Sequence, residues 1–161
     1  MRAAVVLLAI GLVGVAAGCG GTTANRTAAA PRPQAGCTLQ QSPDGYPDEF
    51  AALGVTYVKH PPLPRSGWYA SGDALSYRVM FHSIFHGYVL VRYHGALPQR
   101  TEHLLRSWVL AHAGARVAGT SASLDAGVRV DISEWGREWK CTDAAAVTPA
   151  LLARVLSLRG T

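Results

Sequence analysis

Residues 77–93 read YRVMFHSIFHGYVLVRY, and this stretch organises the rest of the predicted fold. Its second half, residues 88–93, is a nearly unbroken apolar run, which is typical of a central strand covered on both faces. Two histidines, His82 and His86, precede this run, and Gly87 follows them directly. We therefore expect the two histidines to lie at the mouth of the hydrophobic core.

The spacing of His82 and His86 limits how their imidazoles can act together. In one continuous strand they would lie roughly 13 Å apart along the chain. Two nitrogens that share a metal ion must each lie about 2.0–2.1 Å from it. A helical turn would bring the two Cβ atoms to about 5–6 Å, and Gly87 could end that turn in the left-handed conformation. Shared metal binding therefore requires a turn between the histidines.

Further metal ligands are available near this pair in the sequence, namely Met80, His94 and His60. Imidazole and thioether groups suit copper better than calcium or magnesium, and imidazole is also a zinc ligand. The alternative is that the histidines cap loops and hydrogen-bond to backbone groups, which is the ordinary role of an isolated H-x-x-x-H pair.

The amino-terminal residues 1–18 predict a cleaved signal peptide. One arginine precedes a short apolar run that ends in small residues, and the run falls short of the roughly 20 residues that cross a bilayer. Cys19 follows and resembles the lipidated cysteine of bacterial lipoproteins, with Ala16 where leucine is usual. We expect lipid on Cys19 to anchor the protein at the extracytoplasmic face of the cell membrane. Residues 19–36 then form a disordered tether.

The two remaining cysteines, Cys37 and Cys141, bracket almost the whole folded region, residues 37–161. In an oxidising extracytoplasmic compartment they are predicted to form a disulfide. Closing a loop of about 100 residues contributes roughly 4–5 kcal/mol in the chain-entropy model. A structural role is therefore expected for this pair.

The charge distribution argues against nucleic acid as a partner. The chain has 15 basic and 10 acidic residues, but Arg2, Arg26 and Arg32 precede residue 37, which leaves 12 against 10 in the folded region. The remaining arginines are scattered along the sequence, whereas nucleic-acid binding needs a clustered basic face.

Periodicity and turn residues predict an α+β fold, a single domain with a small mixed sheet and two packed helices. Strands are expected over residues 54–60, 88–93, 116–120 and 127–133, and helices over residues 98–113 and from Thr148 onward. Residues 61–73 are expected to form a long loop, in which Trp68 and Tyr69 could line a pocket. Residues 127–133, GVRVDIS, alternate strictly between apolar and polar, which predicts one wet face. Trp135 is expected to point inward.

Several short blocks, taken together, resemble the bacterial family called domain of unknown function 3105. The resemblance covers about residues 55–139. The blocks are His60-Pro61-Pro62 with Ser66-Gly67, then His82-Ser83-Ile84-Phe85-His86-Gly87, and later Glu134-Trp135-Gly136. The resemblance implies no particular activity. The family pattern implies histidines and a glutamate around one pocket, which suggests metal binding.

This chain departs from the family pattern at two positions. Tyr69 replaces a histidine and Phe85 replaces the glutamate. The resemblance therefore implies a reduced set of metal ligands at one pocket, for which the remaining candidates and neighbours are His60, His82 and His86 with Tyr69, Met80, Phe85 and His94.

Three classes of function follow. The first is a non-catalytic surface lipoprotein whose domain binds a protein partner or stabilises an envelope assembly. The alternative is a lipoprotein that binds copper or zinc through its histidines. A hydrolytic enzyme is less favoured, because the sequence has no Gly-x-Ser-x-Gly elbow, no His-Glu-x-x-His motif and no phosphate-binding loop.

Overall fold

A six-stranded mixed sheet forms the centre of the fold in the computed structural model, which describes residues 36–42, 45 and 62–159. The strands are β1 (Cys37–Gln41), β2 (Gly67–Tyr69), β3 (Val89–Tyr93), β4 (Val117–Ser121), β5 (Val130–Glu134) and β6 (Arg137–Cys141), arranged in the order β1-β6-β5-β3-β4-β2. Strands β2, β4 and β3 run parallel, and the other neighbours are antiparallel. Three helices pack on the sheet, namely α1 (Tyr77–Phe85), α2 (Gln99–Ala111) and α3 (Pro149–Ser157).

The predicted α+β class with a mixed sheet in one domain is confirmed, with one helix more than expected. Helix α1 occupies the first half of the stretch 77–93, because Met80, Phe81 and Ile84 recur at helical spacing and are buried. The Ser76 hydroxyl caps its start by accepting from the Val79 amide at 3.4 Å. Gly87, at φ 76°, follows its end in the left-handed conformation that the sequence predicted.

Strand β3 is covered on both faces, as its apolar run predicted. Val89 and Val91 point to one side, into a cluster with Leu105 of α2 and Leu152 of α3. Leu90 points to the other side and packs in a second cluster with residues of α1. Because β3 pairs with β4 on one edge and β5 on the other, it joins the parallel and antiparallel parts of the sheet.

The predicted loop 61–73 needs correction, and three other predictions fall on residues that the structure does not describe. The predicted loop 61–73 contains β2, which pairs in parallel with β4 and puts Trp68 over Gly119, where an added Cβ would lie 2.4 Å from the indole ring. Strands β1 and β6 were not predicted. The predicted strand 54–60, the predicted signal peptide and the predicted lipidated tether lie outside the described residues, apart from Gly36 at the last position of the tether.

The prediction that residues 127–133 form a strand with one solvent-exposed face is wrong. All five residues of β5 are buried. Asp131 is 1 % exposed and Ser133 is fully buried. Their alternation with apolar residues reflects two buried faces of different chemistry. Trp135 also differs from expectation. It lies in the two-residue turn between β5 and β6 and is 44 % exposed.

The predicted cysteine pair lies at disulfide-bonding distance. Cys37 and Cys141 are register partners on β1 and β6, and their sulfurs are 2.09 Å apart across 104 residues of chain. Both side chains belong to the apolar cluster between the sheet and helices α2 and α3. The covalent link therefore ties edge strand β1 to the sheet over its largest apolar cluster.

Candidate functional site

The two histidines at the end of α1 are held together by the helix itself. His82 and His86 are one turn apart, and their ring centroids are separated by 4.5 Å with the planes nearly perpendicular. His82 is 2 % exposed, whereas His86 is half-buried and occupies the position that follows the last helical residue. The helical turn that shared metal binding requires is therefore present.

An exposed aromatic pair, here called the aromatic ridge, lies beside His86. Phe85 at the end of α1 is 53 % exposed, and Trp135 in the β5–β6 turn is 44 % exposed. Their ring centroids lie 5.2 Å apart in an edge-to-face arrangement. Trp135 also packs tightly over Gly45, where an added Cβ would approach the indole Cε2 to 2.3 Å. Two elements thus present large aromatic rings at one point of the surface.

A cavity of about 440 Å³ opens next to the ridge and shares Trp135 with it. Three arginines contributed by different elements line this arginine cavity: Arg116 before β4, Arg137 at the start of β6 and Arg159 after α3. Arg116 donates to the His86 carbonyl at 2.8 Å, so the cavity and the histidine pair are directly connected. Sequence reasoning missed these arginines, because nothing in the sequence signals that three separate elements converge.

Several residues predicted for the pocket lie away from the histidine pair, the aromatic ridge and the arginine cavity. Met80 lies on α1 but is buried in the apolar cluster of that helix. Tyr69 is on β2, where its hydroxyl donates to the Arg65 carbonyl at 2.6 Å. His94 follows the opposite end of β3 and lies near the Ala122 carbonyl, so five strand residues separate it from the histidine pair. His60 lies outside the described residues.

Metal-binding groups of three or more histidine, cysteine or acidic side chains are absent from the described part of the chain. Within that part, no helix is long and apolar enough to cross a membrane.

A buried ionic cluster occupies the sheet face that carries the polar residues of β5. The Arg92 Nη2 atom lies 2.7 Å from the Asp131 carboxylate and 2.8 Å from the Glu138 carboxylate. Nη2 also donates to the Ser133 hydroxyl at 2.9 Å, and that hydroxyl donates to Asp131 at 2.5 Å. Lys140 extends the cluster towards solvent, with its Nζ atom 3.3 Å from Glu138.

Burial raises the pKa of Asp131 to about 7, although the Arg92 guanidinium opposes this shift. The nearby Glu138 carboxylate adds to the rise. A carboxyl group with such a pKa could act as a general base, but it is 1 % exposed, which leaves little room for a substrate. We therefore assign the cluster to the architecture of the sheet.

No family model matches this chain, and neither the curated proteins nor the solved structures contain a match. The similarity to the domain of unknown function 3105 family therefore stays a prediction made from short blocks of sequence.

Proposed function

We propose that this chain is a lipid-anchored extracytoplasmic protein whose domain binds a protein partner and catalyses no reaction. The anchor rests on the sequence around Cys19, which lies outside the described residues. The binding role rests on one observation of the fold, the aromatic ridge of Phe85 and Trp135. Nucleic acid is not expected as a partner, because the folded region is close to charge balance.

The ridge has the chemistry of a protein-binding surface. Tryptophan and other aromatic residues are enriched where binding energy concentrates, because a rigid ring buries much apolar area at little entropic cost. The rings of Phe85 and Trp135 are exposed by about half, so a partner can still bury the remainder. Arg116 and Arg137 line the cavity beside Trp135. The expected partner therefore offers an apolar pocket flanked by acidic residues.

Site-directed photo-crosslinking in intact cells tests this role. A photoreactive amino acid at position 85 is expected to give a discrete protein adduct. Leu110 on α2 provides the matched control, because it is equally exposed, at 53 %, and lies on a different element. Trp135→Ala should weaken the adduct formed from position 85. Equal adducts at positions 85 and 110, or no adduct at either, would contradict partner binding at the ridge.

The anchor has its own test. Cys19→Ser should move the protein from the membrane fraction to a soluble form or an uncleaved precursor, because lipid attachment needs that thiol. A variant that stays in the membrane with a processed amino terminus would show that the lipoprotein interpretation is wrong.

Copper or zinc binding is the second candidate, and the 4.5 Å approach of the His82 and His86 rings favours it. Full-length protein purified without a histidine tag would be exposed to each metal and then analysed for bound metal. His82→Ala and His86→Ala should each lower the metal content, whereas His103→Ala, on exposed α2 surface, should not. Equal metal content in all three variants would assign the pair to capping and packing.

A further inference from the structure

The arginine cavity gathers more positive than negative charge among the described residues that line it. Arg116 is the one described residue other than glycine with a positive φ, at 55°, and it stands between the turn Ala113–Ala115 and β4. Arg137 begins β6, and Arg159 follows the end of α3. Three loops and strand ends thus bring three guanidinium groups to a space of about 440 Å³.

Backbone carbonyls hold two of these guanidinium groups in place. Arg116 donates to the His86 carbonyl at 2.8 Å, and Arg159 donates to the carbonyls of Gly87, at 2.5 Å, and Ala115. These contacts use one or two of the five N–H donors on each guanidinium. The remaining donors of Arg116 and Arg159 stay available, and the positions of both charges are fixed before any ligand arrives.

The third arginine, Arg137, pairs with a carboxylate of the cavity wall. Arg137 lies 3.2 Å from Glu134 and also donates to the Leu158 carbonyl at 2.5 Å. Neither Arg116 nor Arg159 forms an ion pair with any residue that the structure describes. Among the described residues that line the cavity, three guanidinium groups and one carboxylate give an excess of about two positive charges, which matches a dianion.

The environment of Glu134 indicates how strongly charges interact in this cavity. Burial raises the pKa of Glu134 even though Arg137 and Arg159 both oppose the shift. Water therefore screens this wall of the cavity poorly, so that the attraction of the arginines for a bound anion and its repulsion by Glu134 are both stronger than on an open surface.

We propose that the arginine cavity binds a phosphate dianion, either inorganic phosphate or the phosphate of an organic monoester. Planar guanidinium groups match phosphate oxygens with paired hydrogen bonds. A phosphate dianion offers both the charge and enough oxygen atoms for three separate arginines. A carboxylate carries one charge and two oxygens, which would leave a guanidinium unmatched. Trp135 at the edge of the cavity supplies an apolar surface for the organic part of a monoester.

Calorimetric titration of the purified full-length protein tests the proposal at constant ionic strength. The probes are inorganic phosphate, phenyl phosphate and acetate. Saturable binding of phosphate is expected, with acetate at least about tenfold weaker. Phenyl phosphate distinguishes a monoester ligand from free phosphate. If it binds more tightly than inorganic phosphate, the ligand is a monoester; if it binds equally or more weakly, the ligand is the free ion.

Matched variants locate the site. Arg116→Gln and Arg159→Gln should each weaken phosphate binding by about tenfold or more, since each removes a charge-assisted contact. Arg100→Gln, an exposed position on α2, makes the same change in net charge and should leave binding unchanged. If an arginine variant does not fold, Gly114→Leu provides a second route, because a Cβ at Gly114 meets open space on the cavity wall. This variant should block phosphate without altering charge.

The proposal does not depend on a protein partner at the ridge, so the titration and the crosslinking can fail separately. Any of three results would overturn the phosphate proposal. The parent protein would show no saturable phosphate binding, would bind acetate as tightly, or would bind phosphate no better than folded variants of the cavity.

Discussion

The two faces of the sheet are built by the same three strands but are buried by different chemistry. On the apolar face, Val91, Ile132 and Trp139 of β3, β5 and β6 pack beneath α2 and α3. The neighbouring residue on each of these strands points to the opposite, charged face. There Arg92, Asp131 and Glu138 form one ionic cluster. Both faces exclude water.

The stability of the two faces is expected to respond differently to the substitution of one side chain. An apolar side chain that is shortened loses its own contacts, and the neighbouring side chains can relax around it. A buried ion that is removed leaves partners that must either stay charged without a counter-ion or take up a proton, and either outcome costs more than the pair itself contributes. We therefore expect graded losses on the apolar face and a single large loss on the charged face.

The largest effect is expected for Arg92→Met. Removing the guanidinium leaves Asp131 and Glu138 buried beside each other, which should lower the free energy of unfolding by about 3–5 kcal/mol. Chemical denaturation at neutral pH measures this loss. Ile132→Val, on the opposite face of β5, is the control and should cost only about 0.5–1.5 kcal/mol.

A compensated variant tests whether the charged residues stabilise the fold as one unit. Arg92→Met combined with Asp131→Leu and Glu138→Met removes the whole cluster, and most of the lost stability should return, because no buried charge is left unpaired. A triple variant as unstable as Arg92→Met alone would show that the charged face does not behave as one unit.

The disulfide is expected to give the next largest effect, and it belongs to the apolar face. Replacing both Cys37 and Cys141 by serine should lower stability by about 2–5 kcal/mol, because the cross-link closes a long loop in the unfolded chain. Non-reducing mass spectrometry of the parent should find one cross-linked peptide joining the two cysteines. Alkylation of both thiols under native oxidising conditions would contradict the pairing.

The dependence of stability on pH should come from the charged face. The folded-state pKa of Asp131 is raised to about 7 from 3.8, so the folded protein binds this proton more tightly than the unfolded chain. Its stabilising effect is complete below about pH 4 and is lost as the pH rises through about 7. Burial raises the pKa of Glu134 in the same direction, whereas Lys140 holds the pKa of Asp125 below its usual value and acts in the opposite sense.

Urea denaturation between about pH 4 and pH 7 checks this expectation. The parent should lose stability as the pH rises through this range, and Asp131→Asn should flatten the slope. Arg92 faces Asp131 directly, and Glu138, Ser133 and Lys140 belong to the same cluster. An unchanged slope in the variant would contradict the assignment of the effect to Asp131 and would favour Glu134.

Much of the apolar face could be predicted from sequence, because it depends on local signals. The apolar run in β3 and the periodicity of the two predicted helices each lie within one element. Helix α3 does begin after Thr148, whose hydroxyl accepts from the Leu151 amide at 3.2 Å. The cysteine pairing followed from counting thiols.

The charged face and the arginine cavity could not be predicted in the same way. Alternation in β5 shows which residues share a face, but it cannot show whether that face is covered. The signal that was available is Arg92, an arginine inside an apolar strand, which requires buried carboxylates on neighbouring strands. The arginines of the cavity carry no such signal, since a turn, a strand start and a helix end bring them together only in the folded chain.

The smallest effect is expected where the charged face reaches solvent. Lys140 lies 2.8 Å from Asp125, but the Asp125 side chain is 58 % exposed. Water and salt screen a pair of this kind, so Asp125→Asn should cost less than about 1 kcal/mol. Added salt should shrink that cost further, while the large cost of Arg92→Met should persist, because the Arg92 cluster is shielded from ions. Denaturation of both variants at low and high salt separates the two cases. A salt-sensitive Arg92→Met, or a loss for Asp125→Asn as large as that for Arg92→Met, would show that the cluster and its exposed edge form one solvated network.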